Sequence, residues 1–138
     1  MAGKPFDAAL YEQDDGAKHV VISMLEGRRF VAWVNEDDFG VDVLAERDGL
    51  RWQFEVEVKH GWRGPVFPFP SLHYAARKLK WADHPRSWYC TLNEEWDRML
   101  LVSGEVLMSC AVVVKDTIYT QAEAFVEVPL EECWLVVL

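Results

Sequence analysis

Four ionisable side chains recur at alternating positions around one turn: Asp42, then Glu55, Glu57 and Lys59, in "GVDVLAERDGLRWQFEVEVKHGW". Which of them meet depends on strand register. Asp48-Gly49 between two apolar-rich alternating runs is the signal for a two-residue type I′ hairpin, and that turn pairs residues whose numbers sum to about 97. Asp42 then faces Glu55, Leu44 faces Gln53, and Glu46 faces Arg51, while Asp42, Glu55, Glu57 and Lys59 project from one side. The opposite side carries Val41, Val43, Ala45, Leu50, Trp52, Phe54, Val56 and Val58, interrupted by Arg47 near the turn. Directly opposed carboxylates repel, so Asp42 across from Glu55 and diagonal to Glu57 calls for a cation among them. A divalent metal would remove the conflict. The competing reading is a solvated hairpin face, with Glu46 and Arg51 as a cross-strand pair and Glu55, Glu57 and Lys59 serving solubility.

The elements that must hold this face in place can be read along the chain. Ala17, Val20, Val21, Met24 and Leu25 repeat at helical spacing, with Asp14 or Asp15 as cap and Gly27 as terminator. "RRFVAWV" at 28–34 reads as a strand and "NEDDF" at 35–39 as the loop that enters the hairpin. "GWRGPVFPFP" at 61–70 holds too many prolines and glycines for regular structure, and "SLHYAARKLKW" at 71–81 predicts a helix behind a Ser71 cap. "SWYCTL", "RMLLVS", "CAVVVK", "EAFVEV" and "CWLVVL" follow as strands. One domain spanning 1–138 is expected, of α/β (α+β mixed sheet) class, with a central sheet flanked by helices.

The pairing of "GVD" at 40–42 with "EVK" at 57–59 resembles the PD-(D/E)XK nuclease superfamily, whose signature is an aspartate opening one strand and a Glu-x-Lys closing its antiparallel neighbour. The order of elements over roughly residues 15–92 is similar as well. The resemblance implies a restriction-endonuclease-like core with extra C-terminal strands. It also implies that Asp42, Glu57 and the Val58 carbonyl bind Mg²⁺ or Mn²⁺, that Lys59 orients or activates the attacking water, and that DNA is the substrate. Hard oxygen donors suit such an ion, and an ammonium offsets charge developing at phosphorus. Many members add a glutamate from the first helix. Here the corresponding stretch places Lys18 there; Glu12, Asp14 or Asp15 could substitute, or Lys18 could neutralise the cluster in a non-catalytic descendant that binds a protein partner or a second copy of itself as a homodimer.

Charge tests the substrate. The net charge of −9 opposes general attraction to a polyanion, so contact with nucleic acid needs a local patch. From Val58 to Ala82 there are Lys59, Arg63, Arg77, Lys78 and Lys80 and no acidic residue, leaving −14 on the remainder (−9 − 5). Arg63, Arg77, Lys78 and Lys80 are therefore the candidate phosphate contacts, with Arg77 and Lys80 on one face of the expected helix beside His73. Trp62 and Trp81 flank the site and could stack on a base. Glu94, Glu95 and Asp97 read as a solvated turn, and the four histidines show no ligand spacing. No glycine-rich phosphate loop, dinucleotide fingerprint or Ser/Cys nucleophile motif is present, which excludes the common nucleotide-cofactor classes. Three widely spaced cysteines in apolar settings fit reduced thiols, and with no long apolar run the expectation is a cytoplasmic protein without a membrane partner.

Overall fold

The computed structural model describes residues 8–117 and 121–138. Helix α1 (Ala8–Glu26) leads into β1 (Val31–Val34), β2 (Val43–Arg47) and β3 (Leu50–Val58). β4 (Ser71–Ala75) runs directly into a 3₁₀ turn (Ala76–Trp81), followed by β5 (Ser87–Leu92), β6 (Arg98–Ser103) and α2 (Gly104–Ser109). The chain ends with β7 (Ala111–Lys115), β8 (Glu123–Pro129), a 3₁₀ turn (Leu130–Glu132) and β9 (Trp134–Val137).

Both turn residues of the hairpin have positive φ, 53° at Asp48 and 77° at Gly49, the combination a type I′ turn requires. The register follows: Val43 pairs with Phe54, Leu44 with Gln53 and Glu46 with Arg51, as the turn predicts. This hairpin lies in a six-stranded sheet of order β1-β2-β3-β5-β6-β9, antiparallel except where β3 meets β5. The parallel β3–β5 step needs a crossover, and β4 with its 3₁₀ turn supplies it.

The two faces of that sheet are covered differently. Ala17, Val21 and Leu25 of α1 pack on Val43, Ala45, Phe54, Val56, Cys90 and Leu92. This is the apolar face expected from alternation, except that Leu50 at the turn is exposed and Trp52 and Val58 are partly buried. Arg47, the one charge on that face, lies over the rings of Phe30 and Trp52. Against the other face packs a second sheet, β4-β8-β7, whose Leu72, Tyr74, Val126 and Val128 meet Tyr89, Leu100 and Val102. The hairpin's polar face is thus covered along part of its length. Glu55, a solvent residue in the competing reading, is 5% exposed.

Several boundaries differ from those expected. α1 begins at Ala8, so Asp14 and Asp15 lie within it and cap nothing, and the side chains of Glu12 and Asp14 fall outside the described residues. The helix predicted over 71–81 is instead β4 plus the 3₁₀ turn. Leu72 and Tyr74, two apart, are both buried, and β8 pairs with the whole segment Ser71–Ala75, so period-two burial against a partner strand outweighs local helical spacing. His73 consequently shares no helix face with Arg77 and Lys80. α2 had no counterpart in the sequence reading; Ser103 caps it by accepting a hydrogen bond from the Val106 amide. "NEEWDR", expected as a solvated turn, is structural instead. Glu94 accepts hydrogen bonds from the Gly61 amide and Arg63, and Glu95 from the Gly64 amide, pinning the irregular 61–70 segment. All three cysteines are free, with Cys90 buried. Among the described residues no helix is long and apolar enough to cross a membrane.

Candidate active site

Asp42 stands one residue before β2, where the ladder to β3 runs out and Val56, paired on its other side with β5, has no partner left in β2 for its amide. Its Oδ2 accepts that amide at 2.8 Å. The approach is rigid as well, because Asn35 Nδ2 donates to the Val41 carbonyl and the Asn35 amide donates to the Asp42 carbonyl. Directly across the hairpin, Glu55 shares a side-chain hydrogen bond with Asp42, and its Oε2 is buried without a hydrogen-bond partner. Burial, the bond to Asp42 and the Asp42 charge push the Glu55 carboxyl up to about 9, so it holds a proton at neutral pH. A protonated Glu55 carboxyl thus faces Asp42 with its Oε2 orphaned.

Around them lies a cleft of about 540 Å³ that also takes in Asp37, Asp38, Lys18, Arg77, Lys78, Lys80 and Trp81. The 3₁₀ turn forms its cationic wall and is docked on the sheet from two points. Gln53 Nε2 donates to the Trp81 carbonyl at 2.9 Å, and the Tyr89 hydroxyl donates to the Lys78 carbonyl. Lys78 Nζ reaches Glu57 Oε2 at 2.8 Å, and Lys18 Nζ from α1 stands 3.5 Å from Asp42 Oδ1. Burial works to discharge Lys78, yet Glu57, Glu55 and Asp42 outweigh it and hold the ammonium above its usual value.

The residues singled out from the sequence separate into two groups. Asp42, Arg77, Lys78 and Lys80 line the cleft, and Glu57 is tied to its wall through Lys78. Arg77 also pairs with Glu123 at 3.6 Å, and Lys80 lies over the Trp81 ring. Lys59 and Arg63 do not line it. β3 ends at Val58, which pairs with Leu92 of β5, and Lys59 Nζ lies 5.0 Å from the centre of the Phe69 ring. Burial pushes the Lys59 ammonium down, Glu57 pulls it up and Lys115 lowers it again. Arg63 pairs with Glu94 at 3.3 Å. Trp62 is fully buried and cannot stack on a base, whereas Trp81 faces the cleft. Glu55 is the residue the sequence reading passed over. The signal was present, since the hairpin register puts Glu55 opposite Asp42 and Glu57 only diagonal to it.

A divalent ion fits the donors that are present. Among the described residues no cluster of three or more His, Cys, Asp or Glu is arranged to hold a metal. Mg²⁺, however, is commonly bound through one or two carboxylates, with waters and substrate phosphates completing its octahedron. Asp42 and Glu55 offer that minimum, with Glu55 Oε2 buried and unpartnered.

No family model and no curated protein matches the chain. Among solved structures it is similar to Hjc, a Holliday junction resolvase from the archaeal hyperthermophile Archaeoglobus fulgidus. Identity is 9% and the TM-score 0.54, over 83% of this chain and 84% of that one. Likeness of that extent at so low an identity concerns backbone architecture rather than shared site residues. The chain therefore shares the backbone fold of that structure, the restriction-endonuclease-like fold that the Asp…Glu-x-Lys spacing of its hairpin led us to expect.

Proposed function

We propose that the protein is a divalent-metal-dependent nuclease that hydrolyses phosphodiester bonds in DNA at the cleft between the hairpin and the 3₁₀ turn. The observation that carries this reading is the Asp42–Glu55 pair, two carboxylates in hydrogen-bond contact with one buried oxygen unpartnered, facing a wall of lysine and arginine. A solvated hairpin face has no reason to bury such a pair, because each buried charge or orphaned acceptor costs free energy unless a ligand offsets it. Fold likeness to a junction resolvase supports DNA as the substrate class.

In this reading Asp42 and Glu55 hold Mg²⁺ or Mn²⁺, with Glu57 beside them on the same strand face. The ion, when bound, supplies Lewis-acid polarisation of the phosphate. The chain's own residues do the rest. The Val56 amide and the Asn35 contacts fix Asp42, and Glu55 stands almost fully buried beside it. Arg77 and Lys80 orient the phosphate backbone at the mouth. Glu55 replaces Glu57 as the partner of Asp42 because it stands directly opposite, whereas Glu57 is already engaged by Lys78. The test is nicking of supercoiled plasmid and of branched DNA with Mg²⁺ or Mn²⁺, for wild type, Asp42→Asn and Glu55→Gln. Cleavage by wild type that needs the metal and falls at least about 100-fold in each variant is expected. Absence of metal-dependent cleavage by wild type on every substrate would overturn the reading in favour of a non-catalytic binding protein.

A further inference from the structure

We infer that Lys78, delivered from the 3₁₀ turn and positioned by Glu57, is the ammonium that acts on the scissile phosphate, and that Lys59 is not. The inference rests on the nuclease reading above and assigns a residue within that site. Four ammonium groups compete for the role. Lys80 lines the cleft, but its Nζ lies over the Trp81 ring and no carboxylate among the described residues anchors it. Lys59 follows the strand that carries Glu55 and Glu57, and its amide still bonds the Leu92 carbonyl of β5, but its Nζ lies 5.0 Å from the centre of the Phe69 ring and it does not line the cleft. Lys18 lines the cleft, but its partner is Asp42, one of the two proposed metal ligands. An ion held by Asp42 would repel Lys18 and take its counter-charge, which would leave Lys18 without that anchor. Lys78 alone lines the cleft while anchored to a carboxylate outside the Asp42–Glu55 pair, at 2.8 Å from Glu57 Oε2.

The anchoring is two-sided. Tyr89 fixes the Lys78 carbonyl and Glu57 fixes its Nζ, so backbone and charge are both held before substrate arrives. In the hydrolysis a water oxygen attacks phosphorus and one phosphorus–oxygen ester bond breaks. The attacking water gives its proton to solvent and the departing alkoxide takes one from solvent. Lys78 keeps its proton throughout and offsets the charge that builds on the non-bridging oxygens. Glu57 is a positioning residue in this arrangement.

The experiment compares wild type, Lys78→Ala, Lys59→Ala and the double variant Lys78→Ala/Glu57→Gln. Single-turnover cleavage with Mn²⁺, DNA affinity in Ca²⁺ and thermal unfolding in EDTA are measured for each. Lys78→Ala is expected to slow cleavage at least about 100-fold with affinity in Ca²⁺ changed less than about 5-fold, whereas Lys59→Ala slows it less than about 3-fold. The double variant removes the carboxylate that Lys78→Ala leaves unpaired. It should regain wild-type unfolding in EDTA and stay slow, with partial recovery on adding ethylammonium. Recovery of wild-type cleavage by the double variant would make Lys78 a mere counter-ion of Glu57 and overturn the inference, as would cleavage lost in Lys59→Ala and kept in Lys78→Ala. If wild type itself does not cleave, the nuclease reading fails and takes this assignment with it. The other two results overturn the assignment alone.

Discussion

Glu55→Gln separates the cost of the carboxylate pair from its use. Gln has the shape of the protonated carboxyl and can still donate to Asp42, so the variant keeps the hydrogen bond and removes only the ionisation. The folded-state carboxyl sits at about 9 against an ordinary 4.5, so the fold binds a proton that the unfolded chain releases. A raised folded-state value means that the stabilisation is complete below pH 4.5 and is lost progressively as pH rises to about 9. At about 1.4 kcal/mol per pH unit, wild type at pH 7 has given up about 3 kcal/mol that Glu55→Gln retains. For a domain of this size that corresponds to about 10 °C in Tm. Urea unfolding of both proteins in EDTA from pH 4.5 to 9 should therefore give curves that coincide at the acid end and diverge steadily, with the variant more stable. Mg²⁺ should then stabilise wild type, and hardly change the variant, because ligand binding adds to stability only where the site is intact. A pH-independent gap, or a variant less stable than wild type at neutral pH, would refute the buried protonated Glu55 carboxyl and with it the rationale for the site.

Two further outcomes follow from contacts in the cleft. Asp42→Ala should cost about 1–3 kcal/mol in urea unfolding because it strands the Val56 amide, while Asp42→Asn, which keeps an acceptor, should cost less than about 1 kcal/mol. Arg77→Glu/Lys80→Glu should flatten the salt dependence of DNA binding in Ca²⁺ by a log–log slope of about 2, equally across sequences, and an unchanged slope would show that these side chains only solubilise the turn.

The hairpin was legible because its information is local. An Asp-Gly pair with positive φ at both positions admits one register, and one register decides which side chains share a face. The segment at 71–81 was not legible, because what decides it is β8, some fifty residues downstream, whose Val126 and Val128 give Leu72 and Tyr74 an apolar partner surface. The basic character of the segment survived the error. Arg77, Lys78 and Lys80 reach the cleft from a 3₁₀ turn as they would have from a helix, since charge composition does not depend on the backbone that carries it. The burial of Glu55 was hidden for the same reason as the strand. Alternation tells which side chains share a face, but only the second sheet and the docked turn tell whether that face meets water.

Motif spacing carries a similar limit. Reading Glu-x-Lys at 57–59 assumes that β3 stays straight to its last residue and that the lysine must come from the same strand. In the arrangement proposed above the ammonium comes instead from the crossover, where Gln53 and Tyr89 hold the 3₁₀ turn over the sheet face. Asp42, Glu55 and Glu57 are fixed by the hairpin, and Lys78 by the sheet-to-turn bonds, so the cleft is assembled from two units whose sequences are independent of one another. Beyond the Gln53–Trp81 bond, electrostatics relates them: carboxylates that repel across a hairpin are tolerable only if some element brings cations to them. That requirement leaves the cation's origin in the chain open, and here Lys18 from α1 and Lys78 from the crossover meet it together.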